Sequence, residues 1–195
     1  SQQHEVWMGL GAFGTGAMLV DPMDKRWGGG LRYQAVHLGE VYFLENHQGI
    51  IDTALRKFEM TARQAVQRFN QEKDALPEEI KTAAMDSNKA ETKFWFIHCV
   101  KPRSEMEGYD KDRRDYRGMQ FGSYYVSVTG QKLVREGGHN TFPYPISRYV
   151  VGPGELYGRS PAMLCLPAIK VLNEQKKTLL KQGHRAVDPV LLAYD

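Results

Sequence analysis

Residues 152–195 read GPGELYGRSPAMLCLPAIKVLNEQKKTLLKQGHRAVDPVLLAYD, and this stretch decides how the whole chain is interpreted. A glycine-rich loop leads into Ser160-Pro161, which is a typical helix start. The serine hydroxyl can accept a hydrogen bond from a free backbone N–H, and proline at the first helical position has no hydrogen bond to lose. Pro167 lies inside the same pattern, so we expect a kink or a break there.

From residue 168 onward the pattern has the period of an amphipathic helix. One arc is apolar and consists of Ile169, Leu172, Leu179, Leu180 and Val187. The opposite arc is basic and contains Lys170, Lys177, Lys181 and Arg185, with Glu174 among them. Asp188-Pro189 predicts the end of the helix, because a residue that precedes proline disfavours helical backbone. A strand is predicted to begin at residue 190.

Length and composition are those of a globular domain. The chain has 195 residues, of which 42% are hydrophobic, and no apolar run is long enough to predict a membrane span or a secretory signal. A net charge of +3 is too small to indicate nucleic-acid binding by itself. Cys99 and Cys165 lie in apolar contexts, so both are predicted to pack in the core of a protein from a reducing compartment.

Close turns separate the short strands up to residue 59, which predicts an antiparallel meander, and a hairpin is predicted for 121–136 around Thr129-Gly130. Helical segments are predicted at residues 4–10, after a capping box at Thr61 and Gln64, and after Pro77. Strands come first and the long helix comes last, without a strand–helix–strand rhythm. The predicted fold class is therefore α+β. The predicted strands are 17–22, 31–38, 41–45, 50–59, 92–100, 121–128 and 131–136.

No catalytic, cofactor-binding or metal-binding residues are predicted. Residues 9–14 match G-x-G-x-x-G, but a dinucleotide site needs a strand before this motif and a helix after it, and here the order is reversed. The six histidines do not pair with each other or with cysteine at metal-ligand spacing. Ser160 is interpreted as a helix cap, and Glu40 and Glu45 as solvated carboxylates rather than an acid–base pair.

Several motifs together resemble one family. Residues 154–163, GELYGRSPAM, are followed by a second proline, by IKxLN and by a lysine-rich helix that runs into DPxLL. This string resembles the bacteriophage head-to-tail connecting (portal) proteins of short-tailed phages. Four further segments agree with the family in order along the chain, namely GAFGTG at 11–16, GEVY at 39–42, RKFEMTARQ at 56–64 and FPYP at 142–145.

The resemblance implies a structural role. Portal proteins form a dodecameric ring at one vertex of the phage head, and double-stranded DNA enters and leaves through that ring. The implied partners are other copies of the chain, the terminase large subunit, head-tail adaptors and capsid or scaffold proteins. The implied location is the virion, with the host cytoplasm during assembly. The portal itself hydrolyses nothing, so the resemblance implies neither an enzyme nor a cofactor.

Position in the family divides the chain into three parts. Residues 1–158 would correspond to a wing-like α+β region, 159–188 to the first stem helix, and 189–195 to the start of a clip region. Chains of the family are much longer, so we expect this chain to be a fragment that covers the wing and the first stem helix.

The basic arc has two interpretations. Lys170, Lys177, Lys181 and Arg185 are either a solvated helix face or a surface that faces DNA or a neighbouring subunit in a ring. Ile169, Leu172, Leu179 and Leu180 are the candidates for stem-helix packing, and Lys176 falls within their arc. Two other functions remain open at this stage: a protein-interaction domain that forms no ring, and a nucleotide-binding enzyme that uses the loop at residues 9–16.

Overall fold

A computed structural model describes residues 1–23, 28–104 and 109–188 of the chain. The helices are α1 Gln2–Phe13, α2 Ala62–Arg68, α3 Glu78–Met85 and α4 Pro161–Val187, with 3-10 turns at Leu38–Glu40, Asn70–Ala75 and Tyr116–Gly118. The strands are β1 Thr15–Pro22, β2 Leu31–Val36, β3 Val41–Glu45, β4 Ile51–Thr61, β5 Lys93–Pro102, β6 Phe121–Ser127, β7 Lys132–His139 and β8 Ile146–Arg148. The predicted α+β class is confirmed. The strand predicted from residue 190 lies outside the described residues.

The strands form two antiparallel sheets. The larger sheet has the order β3-β4-β5-β6-β7. Its pairs β3–β4 and β6–β7 are joined by the close turns that the sequence predicts, whereas longer connections precede and follow β5. The smaller sheet has the order β2-β1-β8.

One predicted pairing is wrong. The sequence places β2 and β3 side by side in one meander, whereas β2 pairs with β1 and β3 pairs with β4. The reason lies in the connection: Leu38–Glu40 forms a 3-10 turn that carries the chain from one sheet to the other. Val36 before this turn and Val41 after it are both buried in the same core, so burial rather than strand pairing decides their positions.

Two hydrophobic clusters hold these layers together. The first lies between the larger sheet and α2 and α3, and includes Phe58, Phe69, Ile80, Phe94 and Phe96. The second lies between the two sheets and includes Leu19, Val36, Val41, Phe43, Val100 and Tyr144. The predicted capping box at the start of α2 is confirmed, since Gln64 donates its backbone N–H to the Thr61 hydroxyl and Thr61 donates its own to the Gln64 side chain.

A buried histidine lies where the second cluster meets the larger sheet. His98 of β5 has Nδ1 2.7 Å from the Tyr144 hydroxyl and Nε2 2.9 Å from the Ser123 hydroxyl. Its ring stacks on Tyr125 with the centroids 4.1 Å apart. Burial, together with the nearby Arg68 guanidinium, lowers the pKa of His98 well below its ordinary value. The imidazole is therefore neutral in the folded chain at neutral pH.

The start of α4 touches the end of α1 through two glycines. Gly14 follows α1 with a φ of 76°, in the left-handed region. A Cβ on Gly14 would lie 2.3 Å from the Gly158 carbonyl oxygen, and one on Gly158 would lie 2.2 Å from the Gly14 carbonyl oxygen. We call this backbone approach the glycine contact. Two hydrogen bonds flank it, from Tyr149 N–H to the Gly14 carbonyl (2.9 Å) and from Gly158 N–H to the Thr15 hydroxyl (2.8 Å).

The same substitution should have opposite effects at two neighbouring glycines. Gly14→Ala should lower the free energy of unfolding by about 2 kcal/mol or more, since it adds a clash to an unfavourable φ. Gly11→Ala should raise it by about 0.5–1 kcal/mol, because Gly11 is helical and nothing lies within 4 Å of the position that a Cβ would take there. Urea unfolding followed by tryptophan fluorescence measures both. Equal effects would show that the glycine contact does not constrain the fold.

Acid should destabilise the chain through His98. The unfolded chain takes up a proton near pH 6.5 and the folded chain does not, so the free energy of unfolding should fall by up to about 1.4 kcal/mol per pH unit below about pH 6.5. His98→Gln should be less stable at pH 8 but should show a flatter dependence between pH 6.5 and 5. His47→Gln is the control, because His47 is exposed. An unchanged slope in His98→Gln would contradict the assignment.

Candidate functional site

The first turn of α4 is fixed to the body of the molecule. Ser160 is fully buried, and its hydroxyl accepts a hydrogen bond from the Met163 N–H at 2.9 Å, which confirms its role as a cap. Arg159 forms a bridge with Val150 on one side and an ion pair with Glu155 on the other. Together with the glycine contact, these bonds set the direction in which α4 leaves the body.

Beyond its first residue, α4 is exposed along its whole length. Every residue from 162 to 188 is exposed. The helix continues through Pro167, so a break at this proline is excluded. Cys165 was predicted to lie in the core, but it is exposed because its helix projects from the body; Cys99 is half-buried. The predicted end of the helix at Asp188 is confirmed.

The apolar side of α4 has no cover among the described residues. We call Ile169, Leu172, Leu179, Leu180 and Val187 the apolar stripe. The exposed fractions of the four predicted packing residues are 42% for Ile169, 51% for Leu172, 68% for Leu179 and 65% for Leu180. Contiguous exposed apolar residues of this kind mark interaction surfaces. Whatever packs on this stripe is not the described body of the same chain.

The basic side of α4 carries four cations, with the Glu174 carboxylate among them. Lys170, Lys177, Lys181 and Arg185 form what we call the basic stripe, which extends about 22 Å along the helix at a rise of 1.5 Å per residue. All four are exposed, and Lys177 lies 3.3 Å from the Glu174 carboxylate. The helix carries five basic side chains and one acidic side chain. It therefore presents a net positive field to any anionic partner.

The other candidate residues serve the fold. The G-x-G-x-x-G match lies in the last turns of α1, and its final glycine, Gly14, ends the helix, so no helix N-terminus is available there for a phosphate. Glu40 is not freely solvated, because it pairs with the buried Arg56 at 3.0 Å, and Glu45 pairs with Arg148. Both carboxylates fix strand ends rather than form an acid–base pair.

Metal-binding clusters and membrane-spanning helices are both absent from the described part of the chain. Residues 1–23, 28–104 and 109–188 contain no group of three or more histidine, cysteine, aspartate or glutamate side chains that could hold a metal ion. No helix among these residues is both long enough and apolar enough to span a bilayer.

Sequence reasoning missed the residues that fix α4 in place. Gly14 and Gly158 are far apart in the chain, and so are Arg148 and Glu45. Residues 11–16 and 152–158 are both rich in glycine, but nothing in the sequence indicates that the two segments are in contact. By contrast, the helical period alone places the four residues of the basic stripe on one side of α4, so this surface could be predicted from the sequence.

Comparison with known proteins places these features in a family. The family model described as bacteriophage head to tail connecting protein matches residues 1–195. The portal protein of Salmonella phage epsilon15 is 30% identical over 191 residues, which cover 96% of this chain and 33% of that protein. A probable portal protein of Bordetella phage BPP-1 is 28% identical over 176 residues, which cover 89% of this chain and 30% of that protein.

The chain spans about a third of the length of the curated relatives it matches. The matched residues span the α+β body and α4 alike. The family expected from the ordered motifs is thereby confirmed: the chain belongs to the bacteriophage head to tail connecting protein family.

Proposed function

We propose that this chain is the wing and first stem helix of a phage portal protein, a ring-forming structural component through which double-stranded DNA enters and leaves the head. The observation that carries the proposal is α4. It projects from a self-contained body, it is firmly held at its base, and it exposes an apolar stripe and a basic stripe on different sides. A ring of copies gives each stripe a use: the apolar stripe for contacts between subunits, the basic stripe for an anion.

Each proposed region of the portal protein is assigned to one part of the fold. Residues 1–158 form the wing-like region, which has its own two hydrophobic clusters, and 159–188 form the stem-like helix. Residues 189–195, proposed as the start of the clip region, lie outside the described part of the chain. The proposed partners are further copies of the chain in a dodecameric ring, the terminase large subunit, head-tail adaptors and capsid or scaffold proteins, at the portal vertex of the virion and in the host cytoplasm during assembly.

Repetition is what makes the basic stripe effective. One exposed lysine contributes little on its own, and most exposed ion pairs are worth at most about 1 kcal/mol. DNA binding by phosphate contacts grows with the number of cations that meet the backbone. A ring multiplies the stripe by its number of copies around one axis, so a mildly charged chain can line a strongly positive passage. The proposed role is passive, and the protein acts as a conduit rather than as an enzyme.

The first test is negative-stain electron microscopy of this chain and of the longest reading frame that contains it. Rings with a central hole are expected at least in the longer protein. Monomers in both samples would refute the proposal and favour a protein-interaction domain that forms no ring.

Two variants sharpen that experiment. Because α4 is exposed, Leu179→Asp should change the free energy of unfolding of this chain by less than about 0.5 kcal/mol. It should nevertheless prevent ring formation, because an unpaired charge buried between subunits costs several kcal/mol. Lys181→Ala should leave both properties unchanged. If Leu179→Asp forms normal rings, the apolar stripe is not a subunit contact.

The basic stripe predicts a salt-dependent affinity for duplex DNA. Assembled rings in which Lys177 and Lys181 are both changed to glutamate should bind a short linear duplex several-fold more weakly and with a smaller salt dependence. Lys89→Glu, on the surface of the body, is the control for a general change in charge. Fluorescence anisotropy over a range of salt concentrations measures both effects. Equal losses in the two proteins would show that the stripe does not meet DNA.

A further inference from the structure

The outward side of the larger sheet is apolar and open. Successive side chains of a strand point to opposite sides of its sheet, so the neighbours of the buried residues point away from both hydrophobic clusters. We call the central outward positions the outer face. Every strand of the sheet contributes to it, through Tyr42, Leu55, Trp95, Ile97, Val126 and Leu133. It is continuous, because Tyr42 lies opposite Leu55 and Val126 lies between its partners on β5 and β7.

The outer face differs from the usual outward side of an antiparallel sheet. A side that meets water normally carries polar residues that alternate with the apolar ones inside. Here Tyr42 is 64%, Leu133 47% and Trp95 42% exposed, and the other three residues are half-buried. The described part of the chain therefore leaves a contiguous apolar surface uncovered, and such surfaces mark contacts with something else.

One end of the same side is covered by the chain itself. Arg103 follows β5 and is buried, with its guanidinium 3.2 Å from the Glu136 carboxylate and 3.1 Å from the Tyr124 hydroxyl. Tyr116 of the 3-10 turn before β6 lies over that guanidinium. The chain thus closes the polar end of this side with a hydrogen-bonded network and leaves the outer face open.

The charges around the outer face are not balanced. Glu59 and Lys93 pair with each other at 3.3 Å. Lys57 lies 4.7 Å from the centre of the Trp95 ring, and Lys101 is exposed. Neither Lys57 nor Lys101 forms an ion pair with the described residues, so an occupant that brings carboxylates is favoured. The α4 helix of another copy does not fit, because it carries five basic side chains and one acidic side chain.

The outer face is too small to hold a separate molecule firmly. With strands about 4.8 Å apart and outward residues about 6.8 Å apart along a strand, its area is roughly 400 Å². A stable complex of two proteins buries about 800 Å² on each partner. A segment of the same polypeptide needs less area, because it loses little freedom of translation when it binds. The curated relatives contain such polypeptide, since the match covers 33% of one and 30% of the other.

We propose that a segment of the same polypeptide outside residues 1–195 covers the outer face. Its apolar side chains pack on the six central residues, and its carboxylates meet Lys57 and Lys101. The larger sheet is then the middle layer of three, with α2 and α3 on its inner side and the added segment on its outer side. This inference rests on the proposed function, because it takes the chain as part of a longer portal protein.

Photo-crosslinking in the longest reading frame that contains this chain is the first test. Trp95→Bpa, where Bpa is the photoreactive p-benzoylphenylalanine, places the probe on the outer face. After irradiation, the product should have the mass of one chain on a denaturing gel, with Bpa bonded to a peptide outside residues 1–195. Trp7→Bpa is the control, because Trp7 is exposed on α1, and it should not capture that peptide. A product at twice the mass, or no crosslink at all, would overturn the proposal.

Cys99 gives a second readout. Its thiol is half-buried on the same side, between the partner positions Leu55 and Tyr124. Alkylation of Cys99 by iodoacetamide, measured by peptide mass spectrometry, should be about ten-fold or more slower in the longer protein than in this chain, because a covered thiol reacts only during local opening. Equal rates in the two proteins would contradict the proposal.

A charge reversal tests the carboxylates. Lys101→Glu should lower the ratio of these two rates several-fold, because it places like charges opposite each other. Lys89→Glu, in the turn after α3, should leave the ratio unchanged. The change is present in both proteins, so its direct effect on the thiol cancels in the ratio. An unchanged ratio in Lys101→Glu would refute the predicted carboxylates.

The outcomes separate this inference from the proposed function. Rings of the longer protein without the predicted crosslink would overturn this inference and leave the portal proposal intact. The predicted crosslink in a longer protein that forms no rings would support the covered sheet and remove the ring. Absence of both would remove both proposals.

Discussion

The glycine contact is the constraint on which the arrangement of the molecule depends. Gly14 and Gly158 bring two backbones together with no side chain between them, and the Thr15 hydroxyl receives the Gly158 N–H inside the contact. Side chains adjust by changing rotamer, but two main chains in direct contact have no such freedom. The buried Ser160 follows Gly158 by two residues, so the glycine contact sets the direction in which α4 begins.

The body of the chain thus buries its own apolar core, whereas α4 leaves its apolar side chains exposed. The body has two hydrophobic clusters and a buried, fully hydrogen-bonded histidine. In α4, by contrast, the tertiary contacts that stabilise most protein helices are confined to the first turn. The portal role proposed above would supply the missing contacts, since further copies of the chain could cover the apolar stripe of α4.

Features encoded by neighbouring residues could be predicted, and features encoded by distant ones could not. The capping box at Thr61, the cap at Ser160, the end of α4 and the basic stripe all follow from spacings of a few residues. The transfer of the chain from the smaller to the larger sheet after Val36 does not, because the core that buries both Val36 and Val41 is built from residues distant in the chain, such as Val100 and Tyr144. The exposure of Cys165 could not be predicted either. Apolar neighbours in the sequence indicate that a residue favours burial, but they do not show that other residues of the same chain bury it.

Pro167 has a mechanical consequence. It has no N–H to donate to the carbonyl of Met163, so the hydrogen-bond ladder of α4 lacks one rung about one turn beyond the cap. The helix is therefore least stiff at this point, and bending of its outer part relative to the body concentrates there. A sideways force on the far end of α4 then reaches the body as a small rotation about Pro167.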